Sequence, residues 1–114
     1  MVLRPEDNRH FFRTKLQTPL RYQVRGNPDF SNTVANNISV GGLGFVNDKF
    51  IAPDTLLSFE IRILSRVVNP IGRISWSTPV PHSDRYRLGV EFVEVNLTDK
   101  QYLQDFVEMQ KSNA

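Results

Sequence analysis

Two groups of residues in the first half of the chain have side chains suited to binding an anionic ligand. Arg9 and Arg13 lie four residues apart, and Asn37, Ser39 and Gly42 form an Asn-x-Ser-x-x-Gly pattern. An arginine fork can grip a phosphate or the edge of a guanine through two parallel hydrogen bonds. An asparagine offers one acceptor and two donors, and a serine offers a small hydroxyl. A glycine has no side chain, so a ligand can approach its backbone closely.

Each of these residues has a more ordinary interpretation when it is considered alone. The two arginines would then be solvated charges, Asn37 and Gly42 would be turn residues, and Ser39 would cap that turn. Trp76 is ambiguous, because the single tryptophan of a small domain is most often a core residue. The occurrence of both patterns in one chain, in this order, favours the binding interpretation.

The patterns typical of enzymes are absent from the sequence. His10 and His82 have no partner at metal-ligand spacing, and Ser39 lacks the first glycine of a nucleophile elbow. The glycines at 41–44 lack the spacing and the following helix of a dinucleotide-binding fold. The sequence therefore predicts a protein that is not an enzyme and that uses no metal or cofactor.

The elements that would position these residues are short strands followed by one helix. Alternating apolar and polar residues predict strands at 16–25, 57–64 and 86–92. Further strands are expected at 31–35 and 67–76, with a strand, a tight turn and a new strand across 36–46. About six antiparallel strands joined by short turns favour a closed or nearly closed barrel. In the final helix, Thr98 and Gln101 fit a capping box, and Leu97 and Tyr102 fit a hydrophobic staple.

Length and composition predict one globular domain. The chain has 114 residues, of which 39% are hydrophobic and 23% are charged. The absence of cysteine excludes disulfide frameworks and thiolate metal sites, and it fits a reducing cytoplasm. The N-terminus has no apolar secretion signal, and no apolar run approaches the roughly 20 residues that span a bilayer. We therefore expect a cytoplasmic protein without membrane insertion.

The chain divides into an N-terminal arm at 1–15, which carries Arg-x-x-x-Arg, and a barrel with its helix at 16–110. The first 25 residues hold six basic and two acidic side chains, whereas residues 91–114 hold two basic and five acidic ones. A basic arm suggests an anionic partner, although it could also serve solubility alone. The arm has no hydrophobic period, so we expect residues 4–13 to be mobile without a ligand.

The two patterns together resemble those of the PilZ domain family, and the resemblance runs from about residue 9 to 107. Three further stretches look like family signatures in the same order, namely Val-Gly-Gly-Leu-Gly-Phe at 40–45, Gly-Arg-Ile-Ser-Trp at 72–76 and Leu-Gly-Val-Glu-Phe at 88–92. The resemblance implies a single-domain member with a six-stranded antiparallel barrel and a C-terminal α-helix. It also implies binding of the bacterial second messenger cyclic di-GMP by Arg9, Arg13, Asn37, Ser39, Gly42 and Trp76.

Two positions depart from the commonest form of the family pattern. Asn37 stands where many members have aspartate, and an ionised aspartate only accepts hydrogen bonds. Asn8 precedes Arg9, whereas an extra arginine there often accompanies binding of a stacked ligand dimer in this family. The sequence therefore leaves open whether one or two ligand molecules bind to each chain, and Arg4 could replace the missing arginine.

We expect a receptor that couples ligand binding to ordering of its arm and passes the event to an unidentified effector protein or to a second copy of itself. Two alternatives stay open: a barrel that contacts another protein and binds no nucleotide, and an oligonucleotide-binding barrel. The second would need a row of exposed stacking aromatics. The stretch 42–46 partly matches an RNA-recognition strand, but Leu43 and Asp48 stand where that module has its aromatics. We therefore expect no DNA or RNA partner.

Overall fold

Six antiparallel strands close into a barrel in this computed structural model, which describes residues 13–112. The elements are β1 (Thr14–Val24), β2 (Phe30–Ile38), β3 (Gly42–Asn47), β4 (Leu56–Ile63), β5 (Arg66–Val68), β6 (Ile71–Pro79), β7 (Tyr86–Glu94) and α1 (Leu97–Ser112). The sheet order is β1-β2-β3-β7-β6-β4, and pairing of β4 with β1 closes the ring. The six-stranded barrel with a C-terminal helix is therefore confirmed.

The barrel interior is filled by the side chains that alternate inward along each strand. Three aromatic rings meet near its middle: Tyr22 and Phe45 have ring centroids 5.6 Å apart, and Phe59 lies 6.3 Å from Phe45. Buried Asn47 accepts a hydrogen bond of 3.1 Å from the Tyr22 hydroxyl, so this polar group has a partner inside the barrel. The apolar alternation that predicted the strands thus reflects burial on one face.

Several strand boundaries differ from the sequence expectation. The strand expected at 31–35 continues without a break, because β2 runs from Phe30 to Ile38. The run 67–76 is two strands, because Asn69 and Pro70 separate short β5 from β6 and a proline cannot donate to a ladder. β5 is a seventh strand outside the closed ring and pairs only with β4. β1 begins at Thr14 rather than at residue 16, so Thr14 and Lys15 belong to the barrel and not to an arm.

The residue that caps the start of α1 also differs from the one predicted from the sequence. Asn96, not Thr98, caps the helix: its Oδ1 accepts from the Asp99 amide at 2.8 Å, and its carbonyl accepts from the Lys100 amide at 2.9 Å. Leu97 is 84% exposed, so the predicted staple to Tyr102 is also wrong. The pattern was ambiguous because cap-forming side chains stand at both 96 and 98.

The helix is fixed to the barrel by one buried face and one buried carboxylate. Leu103, Phe106 and Val107 pack into the core. Asp99 accepts hydrogen bonds from Arg66 at 2.9 Å and from the Asn69 amide at 2.8 Å, which ties the first turn to β5. Within residues 13–112, no helix is long and apolar enough to cross a bilayer.

Candidate ligand-binding surface

One row of residues crosses four neighbouring strands on the outer face of the barrel. The strand registers pair Asn37 with Gly44, Gly44 with Gly89, and Gly89 with Trp76. Directly paired residues lie on the same face of a sheet, and strands lie about 4.8 Å apart, so the row is about 14 Å long. The adjacent row faces inward and is fully buried: Ile38, Leu43, Val90 and Ile74. We call the outer surface formed by Asn37, Gly44, Gly89 and Trp76 the platform.

The two central glycines allow flat side chains to lie on the sheet. A Cβ on Gly44 would stand 2.8 Å from Nδ2 of Asn37, and a Cβ on Gly89 would stand 2.2 Å from Nε1 of Trp76. The amide therefore lies over Gly44, and the indole lies over Gly89. Any larger residue at either glycine would force its neighbour off the surface.

Trp76 is on the platform because β6 contains a bulge. The register passes from Ile74 opposite Val90 directly to Trp76 opposite Gly89, which leaves Ser75 as the extra residue. Without this bulge, strict alternation would place Trp76 on the same inner face as Ile74. The indole is instead 46% exposed, so it is not a core residue.

A second bulge directs Asn37 outward in the same way. Ala35 pairs with Phe45 and Asn37 pairs with Gly44, so Asn36 is the extra residue of β2. Regular alternation would give Asn37 the inward direction of Ala35. Two irregularities in separate strands thus bring Asn37 and Trp76 onto one surface.

Arg13 reaches the Asn37 end of the platform. Its Nη1 donates a hydrogen bond of 2.7 Å to Oδ1 of Asn37. Because a guanidinium has only donors, the amide oxygen must face it, and Nδ2 is left over Gly44 with no acceptor among residues 13–112. Partial burial against the barrel lowers the pKa of Arg13, yet an arginine stays protonated in a protein. Arg13 therefore supplies a fixed positive charge at this edge.

Ser39 and Gly42 build the turn between β2 and β3. The fully buried Ser39 hydroxyl accepts from the amides of Gly41 at 3.2 Å and Gly42 at 3.1 Å, and the Ser39 amide donates to the Gly42 carbonyl at 2.8 Å. A Cβ on Gly42 would stand 2.0 Å from the carbonyl oxygen of Val90. The close neighbour that requires a glycine at 42 is therefore the β7 backbone. This turn sets the register that pairs Asn37 with Gly44.

Sequence reasoning missed Gly44 and Gly89, which form the floor of the platform. Both glycines stand in stretches that it noted as signatures, at 40–45 and 88–92, but only Gly42 received a role. The missing signal was three-dimensional, because only the β3–β7 register shows that these two glycines are neighbours. Of the predicted residues, Arg9 lies outside the described residues.

The platform is an open surface with a defined chemistry. It offers donors from Arg13 and Asn37 at one end, an exposed indole at the other and a flat glycine floor between them. Lys15 of β1 pairs with Asn37 and adds an exposed cation to the same row. The part of the chain from 13 to 112 contains no cluster of histidine, aspartate or glutamate that could hold a metal ion. Such a surface can hold a planar anionic ligand by stacking and by charge-assisted hydrogen bonds.

Solved structures similar to this chain share its fold. The Bacillus subtilis inhibitor of motility MotI/DgrA has a TM-score of 0.79 at 20% identity, over 91% of this chain and 51% of that one. The PilZ domain of Escherichia coli YcgR, solved with c-di-GMP, has a TM-score of 0.72 at 14% identity, over 91% and 92%. The complex of K. pneumonia MrkH with c-di-GMP has a TM-score of 0.69 at 17% identity, over 100% and 57%. This chain thus spans about half the length of MotI/DgrA.

Comparison of the sequence with protein-family models identifies the family of this chain, whereas the structural similarities show only its fold. A search among curated protein sequences finds no match. The family model of the PilZ domain, however, matches residues 7–109, which is most of the 114-residue chain. The matched region includes both arginines of the N-terminal pattern, the Asn-x-Ser-x-x-Gly turn and every residue of the platform. The chain therefore belongs to the PilZ domain family.

Proposed function

We propose that this chain is a receptor domain that binds cyclic di-GMP on the platform and carries out no catalytic step. The observation that carries the proposal is the row in which Asn37 and Trp76 flank two glycines, with Arg13 bonded to Asn37 at 2.7 Å. Support also comes from family membership and from two similar structures, YcgR and MrkH, that were solved with this ligand.

The ligand chemistry matches the groups that the platform presents. One guanine stacks on the exposed face of Trp76, where a base and an aromatic ring attract each other without a directional bond. Nδ2 of Asn37 donates to the O6 or N7 acceptor of a guanine edge. Arg13 takes a phosphate oxygen through a charge-assisted hydrogen bond. Ser39 and Gly42 contribute by holding the turn that positions Asn37.

The second part of the proposal concerns the N-terminal segment. Arg9 stands four residues before Arg13, and a ligand phosphate bound by both arginines would fix the intervening backbone. Fixing a residue costs about 1–2 kcal/mol, so the bonds to the ligand must offset that cost. Ordering of this segment changes the surface next to the platform, and an effector protein reads that change.

Amide NMR of the labelled chain, titrated with cyclic di-GMP, tests where the ligand binds. We expect the largest shifts at the amides of Asn37, Gly44 and Gly89 and at the indole N–H of Trp76. Amides on the opposite strand β4, such as Ser58, should stay in place. Absence of shifts at millimolar ligand would refute the proposed function, and shifts confined to α1 or β4 would refute the platform as its site.

A further inference from the structure

We propose that Arg87 is a third ligand-binding arginine, one that lies outside both sequence patterns and binds the second phosphate of the ligand. This inference rests on the proposed function, because it assigns a residue to the same site. Two observations support it. Arg87 lies next to the platform, and its side chain has no hydrogen bond or ion pair with residues 13–112.

Arg87 lies next to the platform on a strand whose position is fixed. It precedes Gly89 by two residues on β7, so both lie on the outer face, about 7 Å apart along the strand. Its register partners are Val46 on β3 and Thr78 on β6, both two residues beyond platform positions. Arg87 therefore borders the platform on the side away from the Ser39 turn.

The charge of Arg87 is not neutralised within the described part of the chain. Its side chain is exposed and has no hydrogen bond or ion pair with residues 13–112. Arg73, the arginine on the turn side of the platform, differs: its Nη1 lies 3.5 Å from Oε1 of Glu91, a carboxylate that is 3% exposed. Of the two arginines in the rows that flank the platform, only Arg87 can give its full charge to a ligand.

The geometry of a cyclic dinucleotide requires cations on more than one side. The ring is two-fold symmetric, and its two phosphates lie on opposite sides. Within residues 13–112, the sequence patterns place one arginine, Arg13, at the Asn37 end of the platform, where it can bind one phosphate. We place the other phosphate at the edge of the platform away from the Ser39 turn, where Arg87 lies. An arginine on a strand is also preorganised, so binding through it costs less ordering than binding through a chain end.

Three variants of Arg87 and one control test the assignment by titration with cyclic di-GMP. We expect Arg87→Ala and Arg87→Gln to weaken binding by about 10-fold or more, as expected for a lost hydrogen bond to a charged group. Arg87→Lys should bind with intermediate affinity, because it keeps the charge but loses the fork. The affinity of the Ala and Gln variants should also depend less on salt concentration, since one charge contact is missing. Arg62→Ala, an exposed arginine on β4 at the opposite side of the barrel, should bind as the wild type does.

The outcomes separate this inference from the proposed function. If Arg13→Ala binds weakly while both neutral variants of Arg87 stay within twofold of the wild type, the Arg87 assignment is wrong and the receptor function stands. If the wild type does not bind cyclic di-GMP, both fail. Thermal melts serve as the fold control: the Gln variant keeps most of the side-chain length, so a normal melt with weak binding supports a ligand contact.

Discussion

At the scale of single residues, the platform depends on pairs in which one residue makes room for another. Gly89 has no Cβ where the indole of Trp76 lies, and Gly44 has none where the amide of Asn37 lies. Asn37 and Trp76, the exposed groups that we propose as ligand contacts, thus lie flat over two glycines. The types of these residues alone could not predict that the two glycines are neighbours, because Gly44 and Gly89 are 45 positions apart in the sequence.

Replacement of Trp76 by alanine should reduce ligand affinity and leave stability almost unchanged. Stacking of a base on an aromatic ring contributes about 1–3 kcal/mol, and the 46% exposed indole contributes little to the core. Calorimetric titration and a thermal melt measure the two effects separately. Phe50→Ala is the matched control, since Phe50 is also an exposed aromatic but stacks on Tyr86 away from the platform. A large loss of stability in Trp76→Ala would argue that the indole is structural.

Arg13→Ala should weaken cyclic di-GMP binding by about 1.5–3 kcal/mol, the range for hydrogen bonds to charged groups. The melting temperature without ligand should change little, because the side chain makes one described bond, to the Asn37 oxygen. Arg62→Ala again serves as the control for loss of a positive charge. Unchanged affinity in Arg13→Ala would remove Arg13 from the site.

At the scale of elements, the strands were largely predictable and their irregularities were not. Alternation indicated β1, β4 and β7, whereas β2 and β3 were expected from the asparagines and glycines around the turn between them. It could not indicate the bulges at Asn36 and Ser75, since one extra residue reverses inward and outward for the following residues. These bulges decide that Asn37 and Trp76 face outward. The fold could therefore be predicted from the pattern of apolar and polar residues, whereas the platform could be recognised only from the strand registers.

The β2–β3 turn is the element that positions Asn37, and Ser39 holds it. Ser39→Ala leaves the buried amides of Gly41 and Gly42 without their shared acceptor, which should lower the free energy of unfolding by about 1–3 kcal/mol. Denaturant unfolding measures the change, and exposed Ser58→Ala on β4 is the control. Normal stability combined with lost ligand binding would contradict the turn role and would instead make the hydroxyl a direct ligand contact.

At the scale of the whole molecule, the proposed function combines a closed barrel with an N-terminal segment that becomes ordered when the ligand binds. The β1–β4 pairing closes the barrel, and the four strands that form the platform are paired in one continuous sheet. The Arg13–Asn37 hydrogen bond marks where the N-terminal segment meets that surface. The sequence assigned Arg13 to an N-terminal arm, and it could not show the hydrogen bond between Arg13 and Asn37.

Binding should increase the protection of backbone amides in residues 4–13. Arg9 and Arg13 bound to one ligand phosphate would fix this stretch, and a fixed backbone exchanges its amide hydrogens more slowly. Hydrogen exchange with and without cyclic di-GMP measures the change, and the amides of α1 serve as an internal reference. Equal exchange of residues 4–13 in both states would refute the ordering step while leaving the binding site intact.

One competition titration tests most directly whether this chain binds cyclic di-GMP selectively on the platform. The fluorescence of Trp76, the only tryptophan in the chain, reports binding at the platform. Cyclic di-AMP has the same ring and phosphates but different base edges, so a site that donates to guanine O6 and N7 should reject it. We predict saturable binding of cyclic di-GMP and at least about 100-fold weaker competition by cyclic di-AMP. No saturable binding of cyclic di-GMP, or equal competition by cyclic di-AMP, would contradict the account.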